Sequence, residues 1–268
     1  MARRVLGLTL LVIGIAVAGQ YIVSAQEASR SQTSTNPTNA SRMPLVAITV
    51  VQIKPELVDE WMEFQKKETM PALQKAGVKD RAAFVTSVGP SFEYAFLTPM
   101  TNFAARDGEN PIQKALGQDG ARAYGQKARR FINSQRTYVA VSRTDLTYVP
   151  DPNAKLPVAV ISDFSIAQGR GADFENYIKT DLTAAHKQLK TGGFAVYQGL
   201  FGGDGNTFVI ATLLHDFAEL DKGPAIRQAF GEAKAAAIQQ KLGSIVTHVE
   251  RTLSREVTEL SFHSKTTS

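Results

Sequence analysis

Hydrophobic and polar residues follow two periodicities along the chain, and together they predict a protein of mixed α and β structure. Leu57, Trp61 and Phe64 fall at i, i+4 and i+7, which places them on one face of a helix. Short runs rich in β-branched and aromatic residues are instead typical of buried strands. In the first half, such runs predict strands at 45–53, 82–88, 92–98 and 137–148. A segment rich in Ala, Gln, Lys and Arg, predicted as helical, separates the last two, so the predicted order is β-α-β-β-α-β.

The second half of the chain repeats this order. Pro44 opens the segment PLVAI and Pro157 opens the segment PVAVI, and the residues that follow match at a nearly constant offset. The matched pairs include Trp61 with Phe174, Phe64 with Tyr177, Phe84 with Tyr197, Phe96 with Ile210 and Gly117 with Gly231. Strands are predicted at 158–166, 194–201, 207–213 and 244–254, with helices around 174–189 and 221–242. Because each match falls at the same place in the order of elements, the pattern predicts an internal duplication.

A short segment at 150–153, with two prolines, lies between the copies and is typical of a linker. The predicted units are therefore 44–150 and 151–260, each a ferredoxin-like βαββαβ unit with its helices on one face of the sheet. The other face of each sheet is also apolar, so it must be shielded from water by another part of the protein. The predicted fold class is therefore α+β, with two tandem units packed sheet to sheet as a pseudo-dimeric α/β barrel.

This arrangement resembles the dimeric α/β-barrel superfamily, which includes NIPSNAP-like, Dabb-like and antibiotic-biosynthesis-monooxygenase-like domains. The resemblance covers residues 44 to about 257, and it is carried by the order of elements, the duplication and an aromatic-containing hairpin strand in each half, at 92–96 and 207–210. It implies a cleft between the two sheets that binds small, often aromatic or hydrophobic, ligands. It also implies that some duplicated relatives hold haem through an axial histidine.

The first 25 residues, 1–25, are typical of a secretory signal peptide. Arg3 and Arg4 form a positive start, an apolar segment follows, and Ala25 supplies the small residue before a cleavage site. The alternative is an uncleaved membrane anchor, for which the apolar run is short. Polar residues at 26–43 predict a disordered spacer, and 261–268 is predicted as a polar tail. The expected location is therefore periplasmic or extracellular.

The amino-acid composition excludes several kinds of covalent, metal-binding and catalytic site. The 268 residues include no cysteine, which excludes disulfides, thiolate metal sites and cysteine nucleophiles. None of the four histidines lies within a helical turn of another, so no metal site is predicted. The formal charge of +5 includes two arginines of the signal segment. Nucleic acid is therefore not an expected partner, and neither is a membrane beyond that segment. The sequence leaves a further homo-oligomer open.

Three tyrosines on predicted strands, Tyr94, Tyr138 and Tyr197, are candidate ligand-binding residues, because a phenol in the cleft could orient a ligand. As ordinary core aromatics they would have a packing role only. His248 is the strongest histidine candidate. It lies mid-strand and shares a face with Glu250, so the two could meet a substrate or metal together. The alternative is a solvent-facing strand position.

Arg143 and Arg251 occupy related positions on the last strand of each half. Two arginines across a pseudo-twofold axis could hold a carboxylate or phosphate. Alternatively, each ends its strand in solvent with its aliphatic stem packed down. His186 and His215 are predicted to lie on a helix surface and at a strand end.

The sequence shows no recognisable catalytic constellation, so catalytic residues stay unknown. The favoured function is an exported protein that binds a small apolar or aromatic ligand in the inter-sheet cleft, with no predicted cofactor. One alternative is an enzyme of the same fold, either a cofactor-independent monooxygenase or isomerase or a haem-dependent enzyme. Another is an interaction module of the cell envelope.

Overall fold

The computed structural model describes residues 44–263. The predicted signal peptide at 1–25, the predicted spacer at 26–43 and residues 264–268 of the predicted tail lie outside this range. Within it, no helix combines the length and the apolar character needed to cross a membrane.

In residues 44–263, eight antiparallel strands close into a barrel, and a short ninth strand pairs with one of them. The strands are β1 Leu45–Ile53, β2 Asp80–Val88, β3 Glu93–Met100, β4 Ile132–Ser142, β5 Val158–Ile166, β6 Phe194–Phe201, β7 Thr207–Leu214, β8 Val246–Glu256 and β9 Phe262–His263. Within each half the neighbouring strands follow the order fourth, first, third, second. This is the order of a ferredoxin-like unit.

Two seams of backbone hydrogen bonds join the halves: β4 pairs with β6, and β8 pairs with β2. The sheets were expected to pack face to face, and the structure instead joins them edge to edge into one ring. The physical reason is that each open sheet would leave two edge strands with unpaired backbone groups. Closing the ring satisfies all four edges at once.

The lumen of the barrel is filled by one cluster of buried side chains. Successive strand residues point alternately inward and outward, so every second position contributes. The cluster includes Ile48, Phe84, Leu97, Tyr138, Ile161 and Tyr197. Apolar packing through the centre of the ring therefore takes the place of the predicted inter-sheet cleft.

The helices cover the outer face of the barrel. They are α1 Val58–Phe64, α2 Met70–Lys75, α3 Pro111–Phe131, α4 Gly171–Tyr177, α5 Thr183–Leu189 and α6 Ala225–Leu242. A π-helical turn joins α1 to α2 at Gln65–Thr69, and another joins α4 to α5 at Ile178–Leu182. Pro71 lies in the first turn of α2, where its missing N–H leaves no helical hydrogen bond unmade.

Each set of helices is anchored by a buried aromatic residue on the outer face of the sheet. In the first half the ring centroid of Trp61 lies 4.3 Å from that of Tyr94. In the second half Phe174 occupies the matching position, with its ring centroid 5.0 Å from Phe164 and 5.3 Å from Phe208. Full burial of such a side chain stabilises the fold by about 2–3 kcal/mol.

The chain extends the sheet beyond the predicted end of the second unit. Phe262–His263 forms β9 beside Arg81 of β2, and the Ser261 hydroxyl accepts a hydrogen bond from the Ala83 N–H at 3.0 Å. Residues 261–263, expected as the start of a polar tail, are therefore part of the barrel edge. Their backbone satisfies groups on β2 that β8 does not reach.

Candidate functional site

A cavity of about 800 Å³ lies in the second half of the chain, between the outer face of the barrel and its helices. We call it the sheet–helix cavity. Its lining includes Val160, Ser162, Tyr177, Leu182, His186, Ile210, Thr212, Leu214, Ile226 and Arg251. Strands β5, β7 and β8 form the floor, α4 and α5 with their π-helical turn form the roof, and the segment 215–226 closes the third side. This volume is within the range of about 300–1,000 Å³ that is typical of small-molecule sites.

Strand register fixes the floor of the cavity. Ser162 of β5 lies opposite Ile210 of β7 and Arg251 of β8. Val160, two residues earlier, lies opposite Thr212. Because residues directly opposite each other share a face, all five side chains point outward, while the residues between them point into the lumen.

The roof of the cavity carries two polar side chains on helices, Tyr177 and His186. Tyr177 ends α4 and is buried. Burial and the charge of Asp181 raise the pKa of Tyr177 to about 12, while the charge of Arg251 opposes the rise. The phenol is therefore protonated at neutral pH and can donate a hydrogen bond.

His186 lies in α5 and is only 2% exposed. Its Nδ1 lies 2.5 Å from the hydroxyl oxygen of Thr191, and its ring centroid lies 5.0 Å from that of Phe194. Burial lowers the pKa of His186 to about 4, because no carboxylate compensates the charged form. The imidazole is therefore neutral at physiological pH, and no described residue hydrogen-bonds its Nε2.

The corresponding space in the first half is filled by protein. Phe96, which matches Ile210 of the cavity floor, is covered by the Arg81 guanidinium at 3.9 Å from the ring centroid. Arg81 also donates to Gln65 Oε1 at 3.1 Å and to Met70 Sδ at 3.3 Å. The two halves share a backbone plan and differ in how side chains occupy the layer between sheet and helices.

The lumen has a polar end as well as its apolar centre. Thr86, Glu93, Thr252 and Ser254 stand at inward-facing positions there, continuing the alternation of β2, β3 and β8. Burial and the nearby charge of Glu250 raise the pKa of Glu93 to about 7. Among residues 44–263, no three His, Asp or Glu side chains are arranged to hold a metal ion.

The six side chains singled out from the sequence are distributed over five different environments. Tyr138 and Tyr197 are packed in the lumen, and Tyr94 lies under α1 against Trp61. His248 is exposed on β8, which corresponds to the solvent-facing alternative. Tyr197 is nearly fully buried, and burial raises its pKa, so the structure gives it a packing environment.

The two arginines are not brought together. Arg143 does not end its strand in solvent: it is buried and forms ion pairs with Asp145 and Glu175. Arg251 lines the sheet–helix cavity, and no described carboxylate lies within ion-pair distance of it. The structure therefore places the two arginines in different environments, and Arg143 is already paired with carboxylates of the chain.

Two residues of the cavity were not predicted as site residues. His186 was expected on the helix surface, and the structure buries it. The π-helical turn at Ile178–Leu182 inserts an extra residue per turn and rotates α5, so a regular helical period fails across it. Tyr177 was assigned to the apolar stripe of the helix. The equivalent residue in the first half is Phe64, so the second half adds a hydroxyl at this position. That difference is the sequence signal that could have marked Tyr177 as a site residue.

We expect His186 to make the protein less stable as the pH falls. The pKa of His186 is lower in the folded state, so the unfolded state binds a proton first below about pH 6.5. Between pH 7 and pH 5, the wild type should lose about 2 kcal/mol more unfolding free energy than His186→Gln. Urea unfolding at the two pH values measures this. His215→Gln, at an exposed histidine, should keep the wild-type slope, and an equal slope in His186→Gln would contradict the buried neutral state.

Comparison with known proteins supports the fold. No protein-family model and no curated protein matches the sequence. A candidate monooxygenase from Lactobacillus acidophilus NCFM has a TM-score of 0.53 at 8% identity, over 83% of this chain and 97% of its own. An anthrone oxidase-like protein has a TM-score of 0.54 at 10% identity, over 81% and 93%. A candidate monooxygenase from Fusobacterium nucleatum has a TM-score of 0.52 at 10% identity, over 81% and 94%.

At these identities the likeness shows the fold alone. The α+β class with an eight-stranded antiparallel barrel is confirmed, and so is the resemblance to dimeric α/β-barrel proteins at the level of architecture. Shared fold does not carry a shared reaction, since function depends on the side chains of a site.

Proposed function

We propose that this protein binds a small apolar or aromatic ligand in the sheet–helix cavity. The observation that carries the proposal is the cavity itself: about 800 Å³, with a wall that is apolar over most of its area and also carries polar and charged side chains. Small-molecule sites have this composition, because apolar surface supplies affinity and a few polar groups fix orientation. The lumen, where the sequence placed the ligand, is filled by side chains through its centre.

The duplication inferred from the sequence is part of this proposal. Both halves carry a π-helical turn at matching positions, and both long helices contain a glycine outside helical geometry. Gly117 has φ 70° and ψ 176°, and its match Gly231 has φ 79° and ψ 172°. Irregularities shared at equivalent positions support a tandem pseudo-dimer whose second copy holds the sheet–helix cavity.

An enzyme of the same fold is the second candidate, and His186 is the observation that favours it. The neutral imidazole lies on the cavity wall with no described partner at Nε2, so that nitrogen is available to ligate haem iron. The arginine at the mouth suits the carboxylates of haem, so these residues fit the group. Haem, when bound, would supply redox chemistry. His248, the histidine favoured from the sequence, is exposed on its strand and does not line the cavity.

The ligand proposal is tested with N-phenyl-1-naphthylamine, an uncharged aromatic probe that fluoresces in apolar sites. We expect saturable binding to the purified protein. Thr212→Phe places a ring on the cavity floor and should weaken probe binding at least about tenfold, since it fills the volume the probe needs. Thr98→Phe is the matched control, because Thr98 is the equivalent residue on β3 and lies outside the cavity.

Three outcomes distinguish the ligand-binding protein from the haem enzyme. Equal weakening by Thr212→Phe and Thr98→Phe, or no saturable binding at all, would contradict the ligand proposal. A Soret band that forms with added haemin and is lost in His186→Ala, but kept in His248→Ala, would support the haem enzyme. Probe binding without such a band supports the binding protein.

A further inference from the structure

The mouth of the sheet–helix cavity holds an arginine for which residues 44–263 supply no ion-pair partner. Arg251 lies on β8 opposite Ser162, on the outer face, and lines the cavity while remaining exposed. No described carboxylate lies within 4.0 Å of its guanidinium. Its counterpart Arg143, by contrast, is fully engaged, with contacts to Asp145 and Glu175 at 2.8 and 2.6 Å.

The other charged groups around the cavity also leave positive charge available to a ligand. The two acidic lining residues already accept backbone hydrogen bonds: Asp216 Oδ1 from the Glu219 N–H at 3.2 Å, and Glu219 Oε1 from the His215 N–H at 2.8 Å. Lys190 and Lys222 also line the cavity, and neither forms an ion pair with a described residue. The cavity is therefore lined by three cations without ion-pair partners among the described residues, and by two carboxylates that each accept one backbone hydrogen bond.

Tyr177, on the roof, is a second donor that lines the same cavity as Arg251. The charge of Arg251 lowers the pKa of the Tyr177 phenol, against the raising effects of burial and of Asp181. Asp181 lies four residues after Tyr177, on the π-helical turn. A protonated phenol and a guanidinium that line one cavity can both donate to a planar anion.

We propose that the ligand of the sheet–helix cavity carries a carboxylate, bound at the mouth by Arg251 with Tyr177 as second donor, while its apolar body lies beneath α4 and α5. This inference rests on the proposed function and names the ligand class: an aromatic or aliphatic carboxylic acid. Arg251 binds the ligand in this scheme and has no assigned part in a reaction.

Competition against bound N-phenyl-1-naphthylamine tests the inference with two ligands that differ in one group. 1-Naphthoate and 1-naphthamide share their rings, and only the first carries a charge. In the wild type, naphthoate should displace the probe about two- to fivefold more effectively than naphthamide, because a charge-assisted contact to an exposed arginine is favourable but partly screened by water. Arg251→Gln should remove this preference, and the affinity of each variant for the uncharged probe is measured first so that displacement by the two competitors is compared on the same scale.

Arg129→Gln is the matched control, since it removes the same charge from an exposed site in the first half. It should keep the full naphthoate preference. Tyr177→Phe should reduce the preference only in part, through loss of one hydrogen bond. Equal displacement by naphthoate and naphthamide in the wild type overturns the carboxylate inference while leaving the binding proposal intact. Failure of the probe itself to bind the wild type overturns the proposed function instead.

Discussion

Gly193→Ala should cost at least about 4 kcal/mol of unfolding free energy, the largest effect we expect from any single methyl group in this chain. Gly193 has a φ of +94°, and a Cβ there would overlap the Tyr148 carbonyl oxygen. Both clashing groups belong to the backbone, so neither can rotate away. Tyr148 is also held in place, because its N–H and C=O both hydrogen-bond Phe194.

Gly77→Ala provides the control for this substitution. Gly77 has a similar φ of +82°, but a Cβ there would meet no atom within 4 Å. It should therefore cost only the intrinsic strain of a left-handed residue, about 1–2 kcal/mol. Urea unfolding of both variants separates strain from steric overlap. If Gly193→Ala fails to fold, its recovery as soluble protein relative to Gly77→Ala gives the comparison. Unfolding free energies within 1 kcal/mol of each other would contradict the close approach.

The close approach at Gly193 also shapes the candidate site. The Gly193 N–H donates to the Thr191 hydroxyl at 3.3 Å, and that hydroxyl meets His186. Phe194, the next residue, lies beneath the His186 ring. Displacing this segment would move the wall of the cavity together with its histidine. Substitutions here should therefore lower stability and ligand affinity together, whereas Thr212→Phe should lower affinity alone.

The sequence predicts the elements well, because their periodicities are local properties. The apolar run of Leu45–Ile53 and the helical spacing of Trp61 and Phe64 each follow from a few neighbouring residues. The two hairpins follow from glycines between alternating strands. The order in which these patterns recur then predicts the order of the elements, whereas the edge-to-edge closure of the barrel was not predicted.

The position of the cavity was not predictable in the same way. It depends on which face of each strand is covered by helices, and both faces are apolar here. It also depends on volume: Arg81 and Phe96 fill the layer in the first half, whereas no equivalent pair fills it in the second. Such differences come from the packing of residues far apart in sequence, which local patterns do not reveal. The burial of Arg143 was not predictable for the same reason, because Glu175 and Gln198 reach it from other elements.

Replacing Arg143 by Met should lower the unfolding free energy by about 3 kcal/mol. The guanidinium donates to both carboxylate oxygens of Asp145 at 2.9 and 2.8 Å, and one nitrogen also reaches Glu175 at 2.6 Å and Gln198 at 2.7 Å. Glu175 lies in α4 and Gln198 in β6, so this one side chain ties the end of β4 to two elements across the seam. Met matches the length of the stem and leaves these acceptors without their donor.

The loss should depend on pH in a defined direction. Hydrogen bonds from Arg143 lower the pKa of Asp145 and of Glu175 below their ordinary values. A carboxyl whose pKa is lower in the folded state contributes stability above its unfolded pKa, and this contribution disappears as the pH falls through the folded value. The difference between wild type and Arg143→Met, measured by urea unfolding, should therefore be largest at pH 7 and shrink toward pH 3.

Arg170→Met is the control, since Arg170 also pairs with a carboxylate, Asp173, but both side chains are 39% or more exposed. An exposed pair contributes about 0.5 kcal/mol, because water screens the charges in the folded state. A loss of that size in both variants would show that the Arg143 network adds nothing beyond a surface ion pair. A large loss confined to Arg143→Met would show that the seam depends on it, and that this arginine is committed to the fold while Arg251 is left for the ligand.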